Sequence, residues 1–76
     1  MNKNRRDLLK LATQMLEKAS DYVSQALESE QDCLDNMPEN LQFSEKYDKM
    51  EAAIDNLEEA VDSIDSAKES IEEASL

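Results

Sequence analysis

The chain contains no glycine, no histidine and no tryptophan, and only one proline (Pro38), one cysteine (Cys33) and three aromatic residues (Tyr22, Phe43 and Tyr47). Without glycine, turns that need positive φ are hard to build, so a sheet of several tight hairpins is not expected, and a glycine-rich phosphate loop is excluded. Without histidine the usual general base, the common zinc donor sets and the Glu-x-x-His motif of di-iron bundles are missing. Cys33 has no histidine to activate it as a nucleophile. It reads as a small residue in a helical core row. Being single, it forms no internal disulfide and suits a reducing cytosol.

What remains is rich in Leu, Ala, Glu, Lys, Met and Gln, the better helix formers, with Asp and Ser tolerable on a solvated face. The net charge is −11 over 76 residues. Residues 1–20 hold five cations against two acids, a balance of +3, and residues 21–76 hold three lysines against seventeen acids, a balance of −14. So acidic a chain is not expected to bind nucleic acid or an anionic membrane directly, and the few cations from Lys3 to Lys10 do not change that; a basic protein surface fits better. The opening is basic like a secretion signal. Lys10, Gln14 and Glu17 interrupt any apolar run, so neither a signal nor a membrane span is expected, and the cytoplasm is the expected location.

The second half carries a heptad repeat. Phe43, Tyr47, Met50, Ile54, Leu57, Val61, Ile64, Lys68, Ile71 and Ser75 follow one another in alternating steps of four and three, the spacing of a coiled-coil seam. Beside it Ala53, Ala60, Ala67 and Ala74 recur every seven residues. The first half has its own small row, Ala12, Ala19, Ala26 and Cys33, with Leu8, Met15 and Tyr22 on one flank and Leu9, Leu16 and Val23 on the other. Between the halves lies Asp35-Asn36-Met37-Pro38-Glu39-Asn40-Leu41-Gln42, where Pro38 stops a preceding helix and forces Met37 toward extended geometry. Pro38 to Leu41 suits a single helical turn, with Met37, Leu41 and Phe43 plugging the end of the bundle. Ser44 followed by Glu45 suits a helix start.

The fold expected is all-α: an antiparallel two-helix hairpin with coiled-coil-like heptads. The first helix spans about residues 3–35, the connector 36–43 and the second helix about 44–75. The alanine rows Ala12, Ala19, Ala26 and Ala53, Ala60, Ala67 are expected to let the two backbones approach. Lys3, Arg5, Arg6 and Lys10 then fall near Glu69, Glu72 and Glu73. A single hairpin leaves an apolar stripe of Leu8, Leu9, Leu16, Val23, Met50, Leu57 and Ile64, expected to be covered by a second copy in a two-fold four-helix bundle, with a larger host partner as the alternative. Lys68 interrupts the seam, as an end effect or as a device that fixes register.

Carboxylates are the one abundant chemical group. Asp55-Asn56-Leu57-Glu58-Glu59 and Asp62-Ser63-Ile64-Asp65 do not match a calcium loop, which needs a central glycine. Acids on a helix surface stay solvated, with no cleft to raise a pKa. No cofactor, metal or catalytic residue is therefore expected, and the chain reads as a non-enzymatic interaction module. Asp55, Glu58, Glu59, Asp62, Asp65 and Glu69, with Glu51, Glu72 and Glu73, recur three or four apart along one side of the second helix. Their spacing is of the same order as duplex phosphate charge, so they form a candidate acidic partner surface or an imitation of nucleic acid. Coiled-coil exteriors are commonly charged for solubility alone.

The stretches Asp35-Asn36-Met37-Pro38-Glu39-Asn40-Leu41-Gln42, Ser44-Glu45-Lys46 and Met50-Glu51-Ala52-Ala53-Ile54-Asp55-Asn56-Leu57-Glu58-Glu59-Ala60 resemble short, uncharacterised acidic helical-hairpin proteins of low-GC Gram-positive bacteria and their phages. The resemblance covers roughly residues 30–75, and its proline-centred connector is its most specific part. It carries no functional residues across. It implies a cytosolic hairpin of phage or prophage origin, and with that origin an inhibitor of a host nuclease or antiviral defence protein of the anti-CRISPR type.

Overall fold

The computed structural model describes residues 1–76: α1 (Lys3–Asp35), a single 3-10 turn (Glu39–Leu41) and α2 (Glu45–Ala74). There is no strand. The helices pack side by side into a rod 59 Å long and 15 by 13 Å across. Their order is antiparallel: Leu9 and Thr13 near the start of α1 share a groove with Ile71 and Ser75 at the end of α2. Cys33 and Met37 at the far end border Lys46 and Met50.

Each helix end is closed by a local side chain, which satisfies backbone groups that a helix leaves without partners. Asn2 caps α1, its Oδ1 accepting from the Arg5 N–H at 2.9 Å. Asn36 closes the other end: its side-chain amide donates to the Asp32 carbonyl at 2.8 Å. Pro38 is extended (φ −59°, ψ 145°) and its carbonyl accepts from Leu41 N–H at 2.9 Å, which sets the 3-10 turn. The Ser44 hydroxyl donates to the Leu41 carbonyl at 2.6 Å and accepts from Tyr47 N–H at 3.2 Å, tying the connector to the start of α2. No residue has positive φ. The chain therefore reverses using proline, a 3-10 turn and caps, all open to residues with a Cβ.

The seam of α2 is the row read from its heptads: Tyr47, Met50, Ile54, Leu57, Val61, Ile64, Lys68 and Ile71 are buried or half-buried. The matching row of α1 is Leu9, Thr13, Leu16, Ser20, Val23, Leu27, Glu30 and Leu34, again in steps of four and three and half-buried throughout. Only Met50, 9% exposed, and Ile54, 5% exposed, are buried in the full sense. Two helices alone cannot enclose a core, and a scaffold this small usually needs help from disulfides, metals or oligomerisation.

The seam runs off-centre from the alanine row of α1. Leu9, Leu16, Val23, Met50, Leu57 and Ile64, expected on a self-association stripe, lie instead between the two helices; of that set Leu8 alone is exposed. Ala12, Ala19, Ala53, Ala60 and Ala67 flank the seam half-buried, and Ala26 is exposed. The reason is apolar area. The Leu9–Leu16–Val23 flank continues into Leu27 and Leu34, whereas the Leu8–Met15–Tyr22 flank runs into Ser29, and burying leucine removes far more apolar surface from water than burying alanine. The expected plug at the connector is also revised. Met37 is half-buried, but Phe43 is 95% exposed, because it precedes α2 and the turn directs it outward.

Candidate interaction surfaces

The heptads place residues on either side of the seam in a defined way. In an antiparallel pair, positions flanking one edge of the seam on one helix meet the same positions on the other. Three grooves along the rod agree with this. Ser24, Glu28 and Gln31 of α1 border Glu58 of α2, and Lys10 borders Glu72, on one side. Cys33 of α1 borders Lys46 of α2 on the opposite side, in a shallow recess of about 590 Å³.

The first side is acidic. Along α2 it holds an unbroken row in steps of four and three: Glu51, Asp55, Glu58, Asp62, Asp65, Glu69 and Glu72, every one exposed. Asp7, Glu17, Asp21, Glu28 and Asp35 extend it on α1, where Lys3 and Lys10 are the cations. At 1.5 Å rise per residue the α2 row places a carboxylate about every 5 Å over roughly 30 Å. Glu59 and Glu73 point away from both sides, on the outer back of α2. The one ion pair within 4.0 Å anywhere in the chain is Lys49 with Glu45, one turn apart and exposed. The basic opening lies beside Glu72 as the antiparallel order requires, yet makes no ion pair with it. Lys68 sits half-buried in the seam near the open end, also without an ion pair.

The second side is uncharged. On α1 it is built by Leu8, Ala12, Met15, Ala19, Tyr22, Ala26, Ser29 and Cys33, and on α2 by Ala53, Asn56, Ala60, Ser63, Ala67, Ser70 and Ala74. Not one of these carries a charge, in a chain whose residues are 36% charged. Leu8, Met15 and Tyr22 are 65%, 58% and 72% exposed. Cations stand at its two ends, Arg5 at one and Lys46 and Lys49 at the other. The heptad reading of α2 located its seam and its acidic row. It missed the uncharged side because that side becomes visible only once the packing edge of α1 is known.

Several other features bear on chemistry. No group of three or more His, Cys, Asp or Glu side chains is gathered as a metal site. No buried side-chain nitrogen or oxygen lacks a hydrogen-bond partner. No helix is long and apolar enough to cross a membrane. Compared with protein families, curated proteins and solved structures, the chain matches none.

Proposed function

We propose that the chain is a non-enzymatic protein–protein interaction module, a self-associating acidic hairpin that presents its acidic side to a basic protein surface. The observation that carries this reading is the division of the rod into one uncharged side with exposed Leu, Met and Tyr and one side with an unbroken carboxylate row. Exposed apolar side chains gathered on one face are the usual mark of an interface. A single-sign charged row steers a partner of opposite charge and repels others. With the Glu and Asp side chains exposed along a convex rod, there is no enclosed place in which to bind and transform a small substrate.

A second reading draws on the regularity of the acidic row. A straight, rigid line of carboxylates about 5 Å apart can occupy a basic groove that normally holds nucleic acid. A phage-derived inhibitor of a host nuclease or of an antiviral defence protein would act in this way. Both readings use the same side, so one pair of baits tests them. The hairpin and a variant with Asp55→Asn, Glu58→Gln, Asp62→Asn and Asp65→Asn are immobilised and challenged with bacterial lysate, with elution in salt steps. A protein held by the parent, absent from the variant and released at moderate salt supports the acidic-side reading, since exposed charge is screened there. If that protein acts on nucleic acid and the parent hairpin inhibits it, the second reading is favoured. Identical profiles on both baits would remove the acidic side from the function.

A further inference from the structure

The uncharged side is an open face on the single chain. Exposed Leu8, Met15 and Tyr22 line its α1 edge, and small residues cover its α2 edge. We propose that this face is covered by a second copy of the chain, related by a two-fold axis parallel to the rod. Both connectors then lie at the same end, and α1 of each copy packs on α2 of the other. The proposal rests on the interaction-module reading and specifies the partner and the geometry of its uncharged side.

Area makes a second copy sufficient. One side of a four-sided rod is roughly a quarter of its 5862 Å² surface, about 1,500 Å², against the ~800 Å² per partner of a standard specific interface. Charge also selects the occupant. Each copy carries a net −11, which opposes association through any acidic surface; meeting through the uncharged sides turns both acidic sides outward, as far apart as the assembly allows. A basic partner finds no counter-charge on this face, and an acidic one gains nothing from it.

Shape fixes the axis. In the antiparallel hairpin, groove partners such as Leu9 with Ile71, Leu27 with Glu58 and Cys33 with Lys46 set which residues lie at the same level. To within about a turn, Leu8 is level with Ala74, Met15 with Ala67 and Tyr22 with Ala60. A two-fold axis along the rod keeps these levels and lays each large side chain of α1 over an alanine of the partner's α2. Large on small is how well-packed layers interdigitate. An axis across the rod would instead set the Leu–Met–Tyr row against its own copy, prising the faces apart and leaving the alanine rows across a gap.

Cys33, exposed at the connector end of this face, reports the axis directly. With connectors together it lies beside its own copy, near the axis. With connectors opposed the two cysteines are about 40 Å apart at 1.5 Å per residue, far beyond the ~7 Å Cα separation a disulfide spans. The experiment is sedimentation equilibrium of the full chain, followed by oxidation of dilute protein with diamide and a non-reducing gel. The expected result is a two-chain mass in the micromolar range and a Cys33–Cys33 disulfide between copies. Met15→Glu with Tyr22→Glu is expected to weaken the pair at least about a hundredfold, as loss of two interface anchors does. Gln14→Glu with Gln25→Glu, the same charge change off the face, is expected to leave it intact. A single-chain mass with full helicity at about 100 micromolar would overturn the second copy as occupant. A two-chain mass that gives no Cys33 disulfide would overturn the axis while leaving the interaction-module reading standing. The cross-link is read on the unsubstituted chain, so it decides the arrangement even if the double variant loses its helicity.

Discussion

Ile54 is the most enclosed side chain in the hairpin, 5% exposed, and truncating it measures how much the seam holds. Ile54→Ala removes three carbons from a buried site. At about 0.8 kcal/mol per methylene, transfer alone costs about 2.4 kcal/mol. The better helix propensity of alanine returns about 0.4 kcal/mol, leaving a net loss of about 2 kcal/mol. A chain of 76 residues has a total stability of only about 4–11 kcal/mol at the usual value per residue, so this single truncation removes a large share of it. The matched control is Leu11→Ala, which also removes three carbons, but from an exposed position on the outer back of α1. It is expected to change stability by less than about 0.5 kcal/mol. Urea unfolding followed by helical circular dichroism reads both, at one fixed protein concentration because self-association makes stability concentration-dependent. With a slope of about 1 kcal/mol per molar urea, the midpoint should fall by about 2 M for Ile54→Ala and barely move for Leu11→Ala. Equal shifts for the two variants would refute the placement of the seam, since the argument rests on one site being enclosed and the other open.

Three further outcomes are expected. Ser44→Ala loses the hydroxyl that accepts from Tyr47 N–H at 3.2 Å and should cost about 1 kcal/mol in the same unfolding assay, with Ser44→Asp recovering most of it. Phe43→Ser should leave stability within about 0.5 kcal/mol despite losing the largest apolar side chain of the connector, because that ring is already in water; a loss several times larger would show that the ring is covered. Raising sodium chloride from 10 to 500 millimolar should raise the melting temperature, since the Debye length falls from about 30 Å to roughly 4 Å, below the ~5 Å spacing of the acidic row. A fall in melting temperature would mean that ion pairs, of which only Lys49–Glu45 is present, outweigh repulsion.

How legible this fold was in its sequence differs between the two helices. The seam of α2 could be read directly because its heptads are clean: apolar at two positions, alanine at a third, acids nearly everywhere else. The hairpin, the role of Pro38 and the capping by Ser44 followed from local chemistry that acts within a few residues. α1 was harder. It carries apolar side chains over more than half of its circumference, with Leu8, Met15 and Tyr22 on one flank and Leu9, Leu16 and Val23 on the other. Periodicity identifies such a surface without choosing its packing edge. The choice falls to the flank that Leu27 and Leu34 prolong, a competition in buried area that only the paired helices decide. Asn2 as the cap of α1 and the outward turn of Phe43 depend on where the first and last helical turns fall, which sequence patterns locate to within a few residues.

The rod shape has a practical consequence for weighing the protein in solution. A globular chain of 76 residues has a radius of gyration near 11 Å, whereas the hairpin has one of 17.3 Å. By the same scaling, 17.3 Å is the radius of a globule of about 230 residues. In small-angle scattering a lone hairpin therefore shows the radius of gyration of a chain about three times its mass. A second hairpin laid alongside thickens the rod without lengthening it, so the radius of gyration hardly separates the two states, and a large radius is evidence of length before it is evidence of partners.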